Sequence, residues 1–484
     1  MRVEVTGRLP ETIEGDLLAL PFPGRATEAL RRADRALAGR LEPDAADAAR
    51  RARAGSLELV RAPAGAACSW AAIAGAGQPD ELDLDGIRTA AATAARAAAT
   101  AGGDLVWAFD AELPVEPELQ VQAVVEGAVL GAHVAARWKA DPEPSLASVT
   151  VGGAPDGLQA AADRAAVIAA WTNRARELVD APPNELTPHG LAASATRLLA
   201  ALPVEVEVRS GAALEELGLH ALEAVGQGSA NPPCLIVLRY HGGGSETLGL
   251  VGKGITYDSG GLFLKPQGDL VRQKADMGGG AAVIAATGAI AELGLPVELL
   301  ALVPAAENMI GGAAYRPGDI VPTAAGLNVE ITNPDAEGRL VMADALWYAR
   351  RLGADRLIDI ATLTGAMRAG MGDVFAGVFA NDDGWRDAIV AAGTASGDYA
   401  WPWPMHRRYR RLLDSTLADL RNTAGRSFGY PVIAATFLER FVEGVPWAHV
   451  DIHSTAVVDE ARDYFQAGAT GAGVRLLIET ARAL

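Results

Sequence analysis

The stretch "LNVEITNPDAEGRLVMADAL", Leu327 to Leu346, sets Asp335, Glu337 and Arg339 at alternate positions with only Ala336 and Gly338 between them. Carboxylates beside an arginine can hold a cation, move a proton or bind an anion. Upstream, "LVGKGITYDSGGLFLKPQGDLVRQKADMGGGAAV" adds Lys253, Asp258, Lys265 and Asp276. Four carboxylates brought together without a cation would repel one another and push some of their pKa values sharply upward. Oxygen-rich ligand sets suit hard or borderline divalent ions, so a centre holding two such ions is the economical reading. Asp258 precedes two glycines, which let backbone approach a ligand closely. Asp276 stands just before a Gly-rich helix start, where the helix dipole favours its charge. Taken singly, each acidic residue is a solvated charge or a helix cap and each lysine a surface residue. Convergence would make them a site, and spacing alone does not show convergence.

Other chemistries are excluded. The seven histidines, His133, His189, His220, His241, His406, His449 and His453, form no HExxH pair. "GLVGKG" has the wrong glycine spacing for a phosphate loop, and "GQGSAN" fails the dinucleotide fingerprint at its last glycine. "DSGG" at Asp258 to Gly261 lacks a nearby base or a matching fold for a serine nucleophile. Cys68 and Cys234, the only two cysteines, support neither a disulfide scaffold nor a Cys-rich metal site and read as buried small hydrophobes. A net charge of −18 repels nucleic acid and anionic membrane, leaving Arg407, Arg408, Arg410 and Arg411 as a solvated or interface face. The start lacks a secretory apolar core and no apolar run is long enough to span a bilayer, so the expectation is a soluble cytoplasmic protein.

The elements that must position these residues read as an α/β chain. "DLLALPF" and "DLVWAFD" look like strands, while "DGIRTAAATAARAAAT" and "VEGAVLGAHVAARWK" look like helices. A Pro- and Gly-punctuated stretch follows, and a helix then runs to Pro182-Pro183, where proline cannot continue it. From there strands alternate with helices: "PCLIVLRY", "TLGLVGKG", "PVELLALVPA", "LNVEIT", "DRLIDIATL" and "WAHVDIH". The chain is long enough for two domains, a smaller N-terminal α/β domain over 1–155 and a larger one over 156–484. The larger is expected to have a central, mostly parallel sheet flanked by helices. "LNVEIT" reads as a strand handing over to a helix at the charged trio, the end where open sheets bind ligands.

The blocks "VGKGITYDSGGLFLK", "KADMGG", "NPDAEGRL" and "DIATLTGA", with "NELTP", "WAHVDI" and "GATGAGVRLL", resemble the leucine (cytosol) aminopeptidase family of two-metal exopeptidases. The likeness covers most of Trp171 to Leu484, which it makes the catalytic domain. The resemblance implies that Lys253, Asp258, Asp276, Asp335 and Glu337 are metal ligands, Asp258 and Glu337 bridging both ions. It implies that Lys265 is catalytic and that Arg339 holds a bicarbonate acting as general base. Gln273, Asn333, Thr362, Leu363, Gly365, His453 and Ala456 would line the pocket for the first side chain. Manganese or zinc and a homohexamer are the implied cofactor and assembly. An amine ligates metal only when neutral, and deprotonating Lys253 near neutral pH costs roughly 4 kcal/mol. Only a bound dication offsets that.

The chain departs from the family pattern at three places. Pro334 stands where threonine is usual, which removes one N–H and restricts Asn333. Gln273 replaces an apolar residue, and His453-Ser454 replaces Ala-Gly; these changes read either as drift or packing, or as a pocket made more polar or smaller and moved away from leucine. Three readings follow: a metal-dependent aminopeptidase, a specialised peptide or amide hydrolase of a biosynthetic pathway, and a nucleic-acid-binding regulator.

Overall fold

The structure is a computed structural model that describes residues 1–42, 47–135, 137–141, 143–426 and 428–484. Its chain forms two compact units, one of Met1–Asn173 with Val458–Gly468, the other of Arg174–Val457 with Ala469–Leu484. Among the described residues no helix is long and apolar enough to cross a membrane.

Unit 1 is built on a six-stranded sheet of β1 (Arg2–Thr6), β2 (Gly15–Phe22), β3 (Leu57–Arg61), β4 (Cys68–Gly75), β5 (Asp104–Ala108) and β6 (Ser148–Gly152), in the order β1-β6-β5-β2-β4-β3. All neighbours are parallel except β3, which pairs antiparallel with β4. β2 reads "GDLLALPF" because it is central and buried on both faces, where an unbroken apolar run fits better than alternation. The Ala-rich helix Leu84–Ala101 packs against helix Pro117–Gly131. Contact there is so close that a Cβ on Gly127 would sit 2.2 Å from the Arg88 carbonyl oxygen. The second helix starts earlier than "VEGAVLGAHVAARWK" predicts and ends at Gly131. Beyond that point no described residue as far as Leu146 is buried, so nothing rewards another turn. Tyr464, from the returning segment, is buried against Ala92, Leu130 and Ala169.

Unit 2 carries a nine-stranded mixed sheet of β7 (Val204–Ser210), β8 (Cys234–His241), β9 (Thr247–Gly252), β10 (Gly254–Asp258), β11 (Glu298–Asn308), β14 (Arg356–Ala361), β15 (Ala376–Ala380), β16 (Ala400–Pro402) and β18 (Trp447–Asp451). Its centre, β18-β14-β9-β11, is parallel, as the strand–helix alternation predicts. Antiparallel partners join it: β8 beside β11 and β15 beside β18. β7, "VEVEVRS", was not foreseen; it is an edge strand whose glutamates face solvent. Deep in the sheet, Asp359 of β14 sits opposite His449 of β18 and accepts from Trp447 Nε1 at 2.6 Å, while His449 Nδ1 lies 2.5 Å from the same carboxylate. Burial opposes protonation of His449, but the Asp359 charge beside it wins and raises its pKa.

The run "LNVEIT" departs from expectation. Only Asn328–Glu330 is a strand (β13), and it belongs to a separate three-stranded sheet with β12 (Ile320–Pro322) and β17 (Leu420–Arg421). Past Ile331 the ladder stops because a side chain takes its donors: Asn422 Oδ1 accepts from the backbone N–H of Thr332 at 2.8 Å and of Asn333 at 3.2 Å.

Candidate metal centre

Four stretches of unit 2 deliver the charged residues. Lys253 is the junction between β9 and β10, its N–H donating to Ile360 O at 3.0 Å and its carbonyl accepting from Gly280 N at 2.7 Å. Asp258 ends β10, beside the end of β11. Asp276 stands one residue before Met277, the N-cap of the helix Gly278–Glu292, whose first turn is glycine for a steric reason. A Cβ on Gly279 would lie 2.0 Å from Ile360 O, and one on Gly252 would lie 2.5 Å from Gly279 O. The helix start therefore rests directly on β9 and β14, and Asp276 is carried over the strand ends. Asp335 and Glu337 come from the turn leading into helix Gly338–Arg351.

These side chains meet. Lys253 Nζ lies 2.7 Å from Asp276 Oδ2 and 2.8 Å from Glu337 Oε1. Lys265 Nζ lies 2.7 Å from Asp258 Oδ2 and 2.5 Å from Asp335 Oδ1. One oxygen each from Asp258, Asp335 and Glu337 falls within 4.8 Å of the other two. Glu337 Oε2 is buried and, among the described residues, has no hydrogen-bond partner. Four carboxylates thus face two ammonium groups, with an acceptor left over. An oxygen-rich, charge-deficient set of this kind fits divalent cations, and the two ammonium groups occupy the place of positive charge within it.

Burial sets the protonation of the set without metal. Asp335 is pushed up to about 7 by burial and by the charges of Glu337 and Asp258. Burial also raises Asp258 and carries Asp276 well above the usual carboxylate range. For Glu337 burial works the same way, but Lys253 and Lys265 overcome it and hold the group down at about 2. Both lysines are raised: burial opposes their charge, and the surrounding carboxylates more than restore it.

Arg339 lies near the start of the helix that follows Glu337 and is almost fully buried. Its Nη1 donates to Asn422 O at 2.8 Å and its guanidinium lies over the Tyr430 ring at 5.1 Å. Of the residues expected at the pocket, Thr362 is tied to the centre itself: its Oγ1 donates to Asp276 Oδ1 at 2.8 Å and its carbonyl accepts from Lys253 Nζ at 3.3 Å. Gly278 groups Thr362 with Ala456, their side chains lying 3.3 Å and 3.8 Å from a Cβ built on that glycine. A Cβ on Gly365 would lie 3.7 Å from His453 Nε2, so these two are neighbours. Leu363 is half-buried and donates its N–H to Asp451 Oδ1 at 3.2 Å. Asn333 Oδ1 accepts from Asp335 N at 2.8 Å, and Gln273 Nε2 donates to Asp269 O at 3.1 Å.

Four organising residues escaped the sequence reading. Asn422 gathers the Thr332–Asn333 backbone and Arg339. Asp451 ties together Leu363, Thr364 and His453. Asn308 and Tyr315 contact the acidic loops, Asn308 Nδ2 reaching Asp258 Oδ1 at 2.8 Å and Tyr315 Oη reaching Pro334 O at 2.6 Å. Asn308 and Asp451 could have been found as polar residues closing apolar strands; Tyr315 and Asn422 sit in loops with no pattern.

The family model described as "Cytosol aminopeptidase family, catalytic domain" matches residues 173–478, and its N-terminal domain model matches residues 23–142. A probable cytosol aminopeptidase of Solibacter usitatus is 39% identical over 487 residues, covering 99% of this chain and 99% of that protein. One from Roseiflexus castenholzii is 42% identical over 422 residues, 84% of this chain and 86% of that protein. Among solved structures, the bottromycin maturation enzyme BotP in complex with Mn superimposes with a TM-score of 0.87 at 37% identity, covering 97% of this chain and 99% of that one. Matched in both domains and along almost its whole length, the chain belongs to the cytosol aminopeptidase family of metal-dependent peptide hydrolases.

Proposed function

We propose that the protein is a two-metal aminopeptidase that removes the N-terminal residue of peptides. The observation that carries this reading is the meeting of Asp258, Asp276, Asp335 and Glu337 around Lys253 and Lys265. In it, Lys253, Asp258, Asp276, Asp335 and Glu337 hold two divalent ions, manganese or zinc; the Mn complex of BotP supports manganese. When bound, such ions acidify a water and polarise a carbonyl. Lys253 would ligate only as the neutral amine, and its proton is at present held by the pairing with Asp276 and Glu337. Lys265, released from Asp258 and Asp335, keeps its ammonium and offers it to the oxyanion that develops on the scissile carbonyl. Arg339 presents a planar fork suited to bicarbonate as general base. A free α-amine seated in the same acidic centre restricts cleavage to the first residue.

The test uses free and N-acetylated dipeptides with metal-reconstituted protein. Glu337→Gln and Lys265→Ala are expected to lose nearly all turnover while remaining folded, and acetylation is expected to abolish cleavage. Full activity in either variant refutes the assignment.

We infer a second, narrower reading, a processing peptidase dedicated to one peptide or amide of a biosynthetic pathway. The family resemblance puts Gln273 and His453 at the pocket in place of apolar residues, and the likeness to the bottromycin maturation enzyme BotP supports the narrower reading. A panel of aminoacyl amides decides. The narrow reading expects weak turnover of leucine, restored in Gln273→Met and His453→Ala; a clear leucine preference unchanged by both substitutions removes it. A homohexamer, a cytoplasmic location, and the division of labour between residues 1–155 and the catalytic residues 156–484 belong to the same proposal. The −18 charge supports the peptide readings over nucleic-acid binding.

A further inference from the structure

Asn308 closes β11 and is completely buried. Its side-chain nitrogen donates to Asp258 Oδ1 at 2.8 Å and to Pro334 O at 3.0 Å. The Pro334 carbonyl can only accept, so the amide has one orientation and gives its two N–H bonds to two different acidic loops. Its backbone carbonyl accepts from Ser259 N at 2.9 Å and Ser259 Oγ at 2.7 Å, which anchors the loop that follows Asp258.

Two further features converge on the same contact. Pro334 has no N–H to tie its own turn, yet its carbonyl receives two donors, Asn308 Nδ2 and Tyr315 Oη at 2.6 Å. Gly261, at φ +60°, fills the space between, where a Cβ would lie 2.9 Å from Asn308 Oδ1 and 3.3 Å from Pro334 Cβ. Asp258 Oδ1 is saturated by Gly260 N at 2.9 Å and by Asn308, which leaves Oδ2 turned to Lys265 and the acidic cluster. Meanwhile Asn308 Oδ1 is buried and, among the described residues, without a hydrogen-bond partner. Packing alone would favour a leucine of similar size there, which carries no such cost.

We propose that Asn308 is a positioning residue that holds the Asp258 and Asp335 loops at the separation a pair of divalent cations needs, with Tyr315 bracing the second loop through Pro334. The inference rests on the metal-dependent reading above. Groups behind metal ligands typically change metal affinity about 10–100-fold when removed. Manganese titrated calorimetrically into metal-depleted protein is expected to bind Asn308→Leu about 10–100-fold more weakly than wild type. Tyr315→Phe, the milder variant that keeps the ring, shifts affinity in the same direction by less. The double variant loses less than the product of the two, since both act on one carbonyl. The electron paramagnetic signal of a spin-coupled manganese pair in wild type gives way to that of isolated ions in Asn308→Leu. Unchanged affinity and an unchanged paired signal in Asn308→Leu and Tyr315→Phe overturn the assignment. So does a lower unfolding temperature of the metal-free variants with wild-type affinity, which makes the contact purely structural. A wild type that takes up no manganese overturns the metal reading together with the inference.

Discussion

Asp335 and Glu337 stand two residues apart in one turn, yet in the absence of metal their pKa values lie at about 7 and about 2. Burial acts on both; the charges of Glu337 and Asp258 raise Asp335 further, whereas Lys253 and Lys265 hold Glu337 down, Lys253 by pairing with it directly. Asp335 with its raised pKa stabilises the fold fully at acid pH, a contribution lost as pH rises through about 7. Glu337 does the reverse: its contribution is present above the ordinary carboxylate pKa and disappears only as pH falls through about 2. Cation binding needs Asp335 ionised, so manganese uptake is expected to weaken about tenfold per pH unit below about 7 for each proton displaced. Calorimetry in buffers of different ionisation enthalpy measures that release, and the manganese-induced rise in unfolding temperature is expected to grow from about pH 5.5 to pH 8. Pairs such as "DAEGR" were legible as chemistry because residue type alone limits what they can do. Their organisers were not: nothing in a sequence shows that the Asn422 side chain will end a strand while its backbone carbonyl seats an arginine.

At the scale of elements, glycine placement separates two kinds of constraint. A Cβ at Gly279 would meet the Ile360 backbone oxygen at 2.0 Å, and backbone cannot swing aside. Gly279→Ala is therefore expected to cost about 3 kcal/mol or more, read by denaturant unfolding of the metal-free protein. At Gly338 the Cβ would meet only the end of Lys253, its Nζ at 2.7 Å, and a flexible side chain can move. Gly338→Ala is expected to cost less stability than Gly279→Ala while shifting Lys253 relative to Asp276 and Glu337, so that metal affinity and turnover fall as well. Equal losses of stability in the two variants would contradict this division. The parallel centre β18-β14-β9-β11 was readable because buried strands leave unbroken apolar runs such as "ELLALVPAAEN". "LNVEIT" misled because alternation marks a half-buried strand without saying which sheet it joins.

For the whole molecule, the proposed hexamer predicts light scattering at six times the mass of one chain at micromolar concentration, and a monomer at that concentration removes it. A charge of −18 per chain makes that assembly strongly anionic and its association sensitive to salt. The division of the chain was only partly visible in its sequence. A punctuated stretch before residue 157 marks where composition changes, but no local pattern announces that Val458–Gly468 returns to unit 1. That return sets the order of events during synthesis. Nascent chains generally fold from the N-terminus as they emerge, but here the pocket of Ala92, Leu130 and Ala169 waits for Tyr464, which follows Arg174–Val457 of unit 2 along the chain. Unit 1 is thus completed only after Arg174–Val457 of unit 2 has been made, and a product stalled before Tyr464 leaves the apolar gap between Ala92, Leu130 and Ala169 unfilled.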